Sequence, residues 1–118
     1  MAGEELFIGW GQVVRGREQK ALQVFQETIE FDGRLQQEGK IDGFDAHLLA
    51  PHGGDLAGFI VLHGERGKLD EIRSTEEFER LIARAGAIVD GVGVINAYSG
   101  DALGQAMARF QAASEELG

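Results

Sequence analysis

The sequence predicts an α+β chain of order β-α-β-β-α-β-α, built on a four-stranded antiparallel sheet, and three observations carry that reading. Four stretches, residues 5–14, 43–50, 56–64 and 91–98, are apolar at successive positions instead of only at alternate ones. Three other stretches repeat their apolar residues at helical spacing, and helix stop and start signals lie between them. Helices on one side of a sheet cover one apolar face. The second face needs a cover of its own, and the simplest one is another copy of the chain.

The elements follow in order. Glu5 to Val14 is the first strand, and Glu18 to about Glu38 is the first helix, with Leu22, Phe25 and Ile29 in one stripe flanked by Ala21, Val24 and Thr28. Gly39 stops it. Pro51 to Asp55 forms the loop of a hairpin, and pairing Ala50 with Leu56 sets Ala46 opposite Ile60 and His47 opposite Phe59, because antiparallel partners keep a constant sum. Residues 64–73 are charged and read as an irregular or short-helical connection. Ser74 stands three residues before Glu77, a capping-box spacing that opens a helix carrying Phe78, Leu81, Ile82 and Ala85 and ending at Gly86. After the last strand, Ser99 or Asp101 caps a final helix whose Leu103, Met107, Phe110 and Leu117 share one stripe.

Two strand-helix-strand units in this order make a ferredoxin-like βαββαβ arrangement, here with an added helix. Over nearly the whole chain, the lengths, the element order and the two-sided apolar strands resemble the dimeric α+β barrel superfamily, in which two such sheets pack face to face. The resemblance implies a homodimer through the sheet face. It also implies relatives among cofactor-independent antibiotic-biosynthesis-type monooxygenases, haem-degrading monooxygenases, muconolactone isomerases and stress-responsive proteins. Asp32-Gly33-Arg34-Leu35 only begins like the Asp-Gly-Pro-Phe element of one subfamily, so no subfamily is assigned.

Composition narrows the function. A chain of 118 residues reads as one domain, 1–118, with a modest core. Its formal charge of −9 argues against nucleic acid or an anionic membrane as partner, since both select basic surfaces. There is no cysteine, which removes thiolate catalysis and zinc–thiolate sites. The start carries no basic segment followed by a long apolar run, so a cytoplasmic location is expected. Gly9-Trp10-Gly11 lacks the third glycine of a dinucleotide fingerprint, Val14 standing there, and no phosphate loop or nucleophile elbow is present. Neither an organic cofactor nor a metal is expected.

The hairpin register assigns the candidate chemistry. One face of the second and third strands carries Phe44, Ala46, Leu48, Ile60 and Leu62; the other carries Asp45, His47, Leu49, Phe59, Val61 and His63. Trp10 and Gln12 share a face of the first strand, and Asn96 and Tyr98 share a face of the last. The expectation is one pocket lined by all seven polar or aromatic candidates. In it His47 or His63 acts as general acid or base, Asp45 orients it, and Trp10, Gln12, Asn96 and Tyr98 hold a small apolar or aromatic molecule. The same residues also fit a plainer account: histidines satisfied at a dimer seam, Trp10 in a core or interface, Asn96 and Tyr98 hydrogen-bonded across the seam, and His52 exposed in its turn. Two histidines and an aspartate at this spacing do not mark a metal site. An enzyme and a non-catalytic dimeric ligand-binding or stress-associated protein both remain open, because fold alone does not choose.

Overall fold

The computed structural model describes residues 3–118, and among these the chain forms β1 (Glu4–Trp10), α1 (Glu18–Gln37), β2 (Gly43–Leu48), β3 (Gly58–His63), α2 (Arg66–Arg73), α3 (Glu76–Gly86), β4 (Gly93–Tyr98) and α4 (Gly100–Glu116). The strands make one sheet in the order β2-β3-β1-β4, with every neighbouring pair antiparallel. This is the ferredoxin-like topology. The hairpin register is the expected one, Ala46 facing Ile60 and His47 facing Phe59.

A core forms where even-numbered residues of the central strands meet the helices. Leu6, Ile8, Ile60 and Leu62 pack with Phe31 and Leu35 of α1, Leu69 and Ile72 of α2, and Phe78 of α3. Leu6, Leu62 and Leu69 are fully buried, each contributing roughly 1.5–3 kcal/mol of transfer free energy. α1, α2 and α3 therefore lie on one face of the sheet. None of them covers the other.

Two details depart from the sequence reading, and a third selects between its alternatives. β1 ends at Trp10, because Gly11 N–H then donates to Asp90 O at 2.7 Å and only an isolated bridge, Val13 with Val89, follows. Residues 66–73 take the short-helical alternative as α2, since Leu69 and Ile72 stand three apart and bury one side. The cap of α3 is Thr75, whose Oγ1 accepts the Phe78 N–H at 3.2 Å, while Ser74 Oγ donates back to Asp70 O. A one-residue offset between two hydroxyl residues is invisible to the capping-box pattern. Among the described residues no helix is long and apolar enough to cross a membrane.

One polar group sits inside this core. Asp32, on the buried side of α1, is 1 % exposed and its Oδ2 has no hydrogen-bond partner. Burial disfavours the charged form and pushes its carboxyl from 3.8 up to about 7. The unfolded chain ionises at lower pH than the native one, so this contribution to stability is full below about pH 4 and is lost as pH rises to about 7. Asp32→Asn keeps the neutral shape at every pH. Its stability advantage over the parent should grow between pH 4 and 7 to a few kcal/mol, on the order of the linkage limit, and level off above. Urea unfolding of both proteins at pH 4, 5.5, 7 and 8 checks this; parallel profiles would show that Asp32 is not held neutral.

Candidate functional site

Register parity divides the seven candidates between the two faces of the sheet. Glu5 faces His63 and Gly43 faces His63 in turn, which places Glu5, Asp45, His47 and His63 on the face without helices. Leu6 lies in the core and faces Asn96, while Trp10 faces Gly58, so Trp10, Asn96 and Tyr98 belong to the helix side. The single seven-residue pocket therefore does not form. Parity along each strand was legible, but the registers of β1 with β3 and with β4 were not, and those registers decide the side. Gln12 lies beyond the end of β1, exposed, its backbone C=O accepting from Asp90 N–H.

On the open face a polar chain crosses three strands. His63 Nδ1 lies 3.0 Å from Glu5 Oε2, and Nε2 lies 2.7 Å from Asp45 Oδ2. Ser99 Oγ donates to the same Glu5 oxygen at 3.0 Å, linking the root of α4 into the chain. Both contacts of the ring are N–H···O bonds only when both nitrogens carry hydrogen. The two carboxylates sit on opposite edges of the imidazole and do not converge on a point. Among the described residues no three such groups stand together as a metal site. Glu5 is the residue the sequence reading missed; its signal is that β1 must neighbour β3 in a ferredoxin-like sheet.

Beside this chain runs a ladder of rings. His47 stacks on Phe59 at 4.8 Å, and Phe59 stacks on Phe7 at 5.2 Å. Phe59 faces Gly9, which has no side chain, and the Phe7 ring leans over that glycine to reach it. Val61 and the exposed Ile95 extend the apolar surface.

The helix side holds two different arrangements. Near β4, Asn96 Oδ1 accepts from Arg66 Nη1 at 2.9 Å and Arg73 Nη1 at 3.2 Å, and Arg66 also grips Glu4 Oε2 through Nε and Nη2. Arg109 of α4 lies over the Tyr98 ring at 5.7 Å. Asn96 and Tyr98 thus fasten α2 and α4 to the sheet edge. At the opposite end, where the helices stop short of β2, Leu48 is left exposed and a cleft of about 270 Å³ opens. Its floor is Ile8, Trp10 and Leu48; Ala21, Leu22 and Phe25 of α1 form one wall, and Ala85, Ile88 and Val92 another. Glu18 is the one ionisable side chain in the lining.

Trp10 shapes this cleft. Its indole meets Phe25 edge-on at 6.0 Å and lies across Gly58, where an added Cβ would stand 2.7 Å from the ring and 2.8 Å from the His47 carbonyl oxygen. Only glycine leaves room for the indole there.

Against known proteins, no family model matches the chain, and no curated protein matches it significantly. Solved structures do match. A dimeric protein of unknown function and ferredoxin-like fold from Bacteroides fragilis superposes with a TM-score of 0.59 at 10% identity, over 82% of this chain and 97% of that one. A structure described as antibiotic biosynthesis monooxygenase gives 0.56 at 17% identity, over 82% and 98%. SnoaB, a cofactor-independent oxygenase from Streptomyces nogalater, gives 0.55 at 19% identity, over 84% and 97%. The chain shares the ferredoxin-like fold with these proteins.

The polar chain has a measurable weight. His63→Ala strands Glu5 beside the sheet and should cost about 1–3 kcal/mol, whereas His47→Ala removes one exposed stacked ring and should cost about 1 kcal/mol or less. Urea unfolding at pH 6 measures both. Equal, negligible losses would show that the crossing chain does not hold the strands.

Proposed function

We propose that this protein binds a small apolar or aromatic molecule in the cleft floored by Trp10. The observation that carries the reading is the lining: aliphatic and aromatic on its floor and both walls, with Glu18 the only charge. An apolar cavity of roughly 150 Å³ accepts benzene. A cleft of about 270 Å³ accommodates a substituted ring or two fused rings. Trp10 offers such a ligand a stacking face, and Glu18 offers one acceptor for a hydroxyl.

The likeness to a cofactor-independent oxygenase supports an enzymatic form of this reading, oxygenation of the bound ring without a resident cofactor. In such a reaction the electrons for oxygen come from the substrate itself, which favours electron-rich, hydroxylated aromatics. A second reading, a non-catalytic binding protein, is favoured by the placement of the histidines. His47, His63 and Asp45 lie across the sheet from the cleft, so among the lining residues only Glu18 is positioned to move a proton. Acid or base chemistry at His63 belongs instead to the open face, where Asp45, the more exposed of its two partners, can yield to a ligand.

The open face itself supports a homodimer. Phe7, Phe59, Val61 and Ile95 form a contiguous apolar surface of the kind that soluble monomers cover.

Trp10 is the only tryptophan, so its fluorescence reports the cleft directly. Naphthols and substituted phenols should quench or shift it at micromolar concentrations and raise the melting temperature, and Gly58→Val, which displaces the indole, should abolish both responses. Oxygen uptake on ligand addition selects the oxygenase; stabilisation without uptake selects the binding protein. A compound set that moves neither fluorescence nor melting would overturn the cleft as a site.

Light scattering near twice 12.8 kDa, with Phe59→Asp giving monomer or aggregate, checks the dimer. A monodisperse parent monomer contradicts it.

A further inference from the structure

We propose that α4 is a self-association helix whose partner is α4 of a second copy, packed antiparallel against it; this rests on the homodimer reading and adds a second contact to the sheet face. The root of α4 is fastened. Ser99 N–H donates to Gly3 O at 2.8 Å, Ser99 Oγ donates to Glu5, and Ala102 is buried. Beyond that first turn the chain's own body covers almost nothing. Leu103, Met107, Phe110 and Leu117 are 47, 63, 77 and 91 % exposed, rising with distance from the root. A helix of 17 residues draws most of its stability from packing, so an arm with a bare apolar stripe requires a partner.

The order of residues in the stripe identifies that partner. Leu103, Phe110 and Leu117 recur every seven residues, and Ala106 and Ala113 fall between them, so large and small side chains alternate along a coiled-coil seam. Two such helices laid antiparallel about a two-fold axis level with Ala108 set Leu103 of one copy against Ala113 of the other, and Phe110 against Ala106. Each large side chain then fills the space above an alanine. A parallel pair sets large against large and leaves the alanine layers empty. The antiparallel arrangement is also self-complementary, as a two-fold contact requires. Area points the same way: a specific pair buries about 800 Å² of accessible surface on each partner, and the exposed stripe of α4 adds apolar area to that of the sheet face.

The chain has no cysteine, so introduced thiols report contacts without background. In the full-length double variant Leu103→Cys/Ala113→Cys the two thiols of one helix lie about 15 Å apart and cannot join. Mild oxidation at low micromolar concentration should convert most of the double variant to a covalent dimer on a non-reducing gel, with at least tenfold less from either single variant. Cross-linking of the single variants at the same rate as the double would establish a parallel pair and overturn the arrangement. No cross-linking in any variant, with a parent dimer that Phe59→Asp dissociates, would overturn the α4 contact and leave the sheet-face dimer standing. A monomeric parent without cross-links would remove both.

Discussion

Every side chain in this sheet has only two places to go, and the pairing of β1 with β3 and β4 chooses between them. Strand residues alternate between faces, so fixing Leu6 opposite Leu62 and Asn96 commits all four strands at once. Leu6, Ile8, Ile60 and Leu62 turn toward the helices and make the core; Glu5, Phe7, Phe59 and His63 turn away. A slip of β1 by one residue would bury Glu5, expose Leu6 and Ile8 and part Glu5 from His63. The cost of such a slip, the exposure of core aliphatic side chains and the burial of the Glu5 carboxylate, is what holds the register.

This constraint separates two kinds of chemistry by the thickness of one sheet. On the helix side the end of β1 delivers Trp10 into an apolar cleft, because Gly58 gives the indole room and the helix layer leaves Leu48 uncovered. On the open side Ser99, Glu5, His63 and Asp45 form a chain of polar contacts beside the stacked rings of His47, Phe59 and Phe7. The cleft suits an uncharged ring. The open face suits another protein surface, since its apolar rings surround polar groups that already satisfy one another.

Arginine does on the helix side what the histidine does on the other. Arg66 ties Glu4, the Glu5 carbonyl and Asn96 to the first turn of α2, and Arg73 joins its last turn to Asn96 and the Val94 carbonyl. These contacts are only partly buried, so each is worth little alone, yet together they fix a short helix whose own propensity is weak. Asn96 is therefore explained by the fold. α4 has no comparable fastening beyond its first turn, Arg109 over Tyr98 excepted, and its apolar stripe faces outward.

Much of this architecture was legible in the sequence. The element order, the hairpin register and the grouping of Asp45, His47 and His63 follow from periodicity and from the turn signals at Pro51–Asp55, both of which are local properties, although the strands stop at Leu48 and resume at Gly58. The sequence left 64–73 open between an irregular and a short-helical connection because charged residues interrupt a two-residue apolar stripe, and it missed the Thr75 cap because adjacent Ser74 and Thr75 are equivalent to a pattern. The site divides in the same way. Residue types and parity within each strand belong to the sequence, whereas the union of Glu5 with His63, and the separation of Trp10, Asn96 and Tyr98 from the histidines, belong to the tertiary structure. The reason is physical: parity repeats every two residues along one strand, but which parity points inward is set only when strands distant in sequence pair and the helices bury one face of the completed sheet.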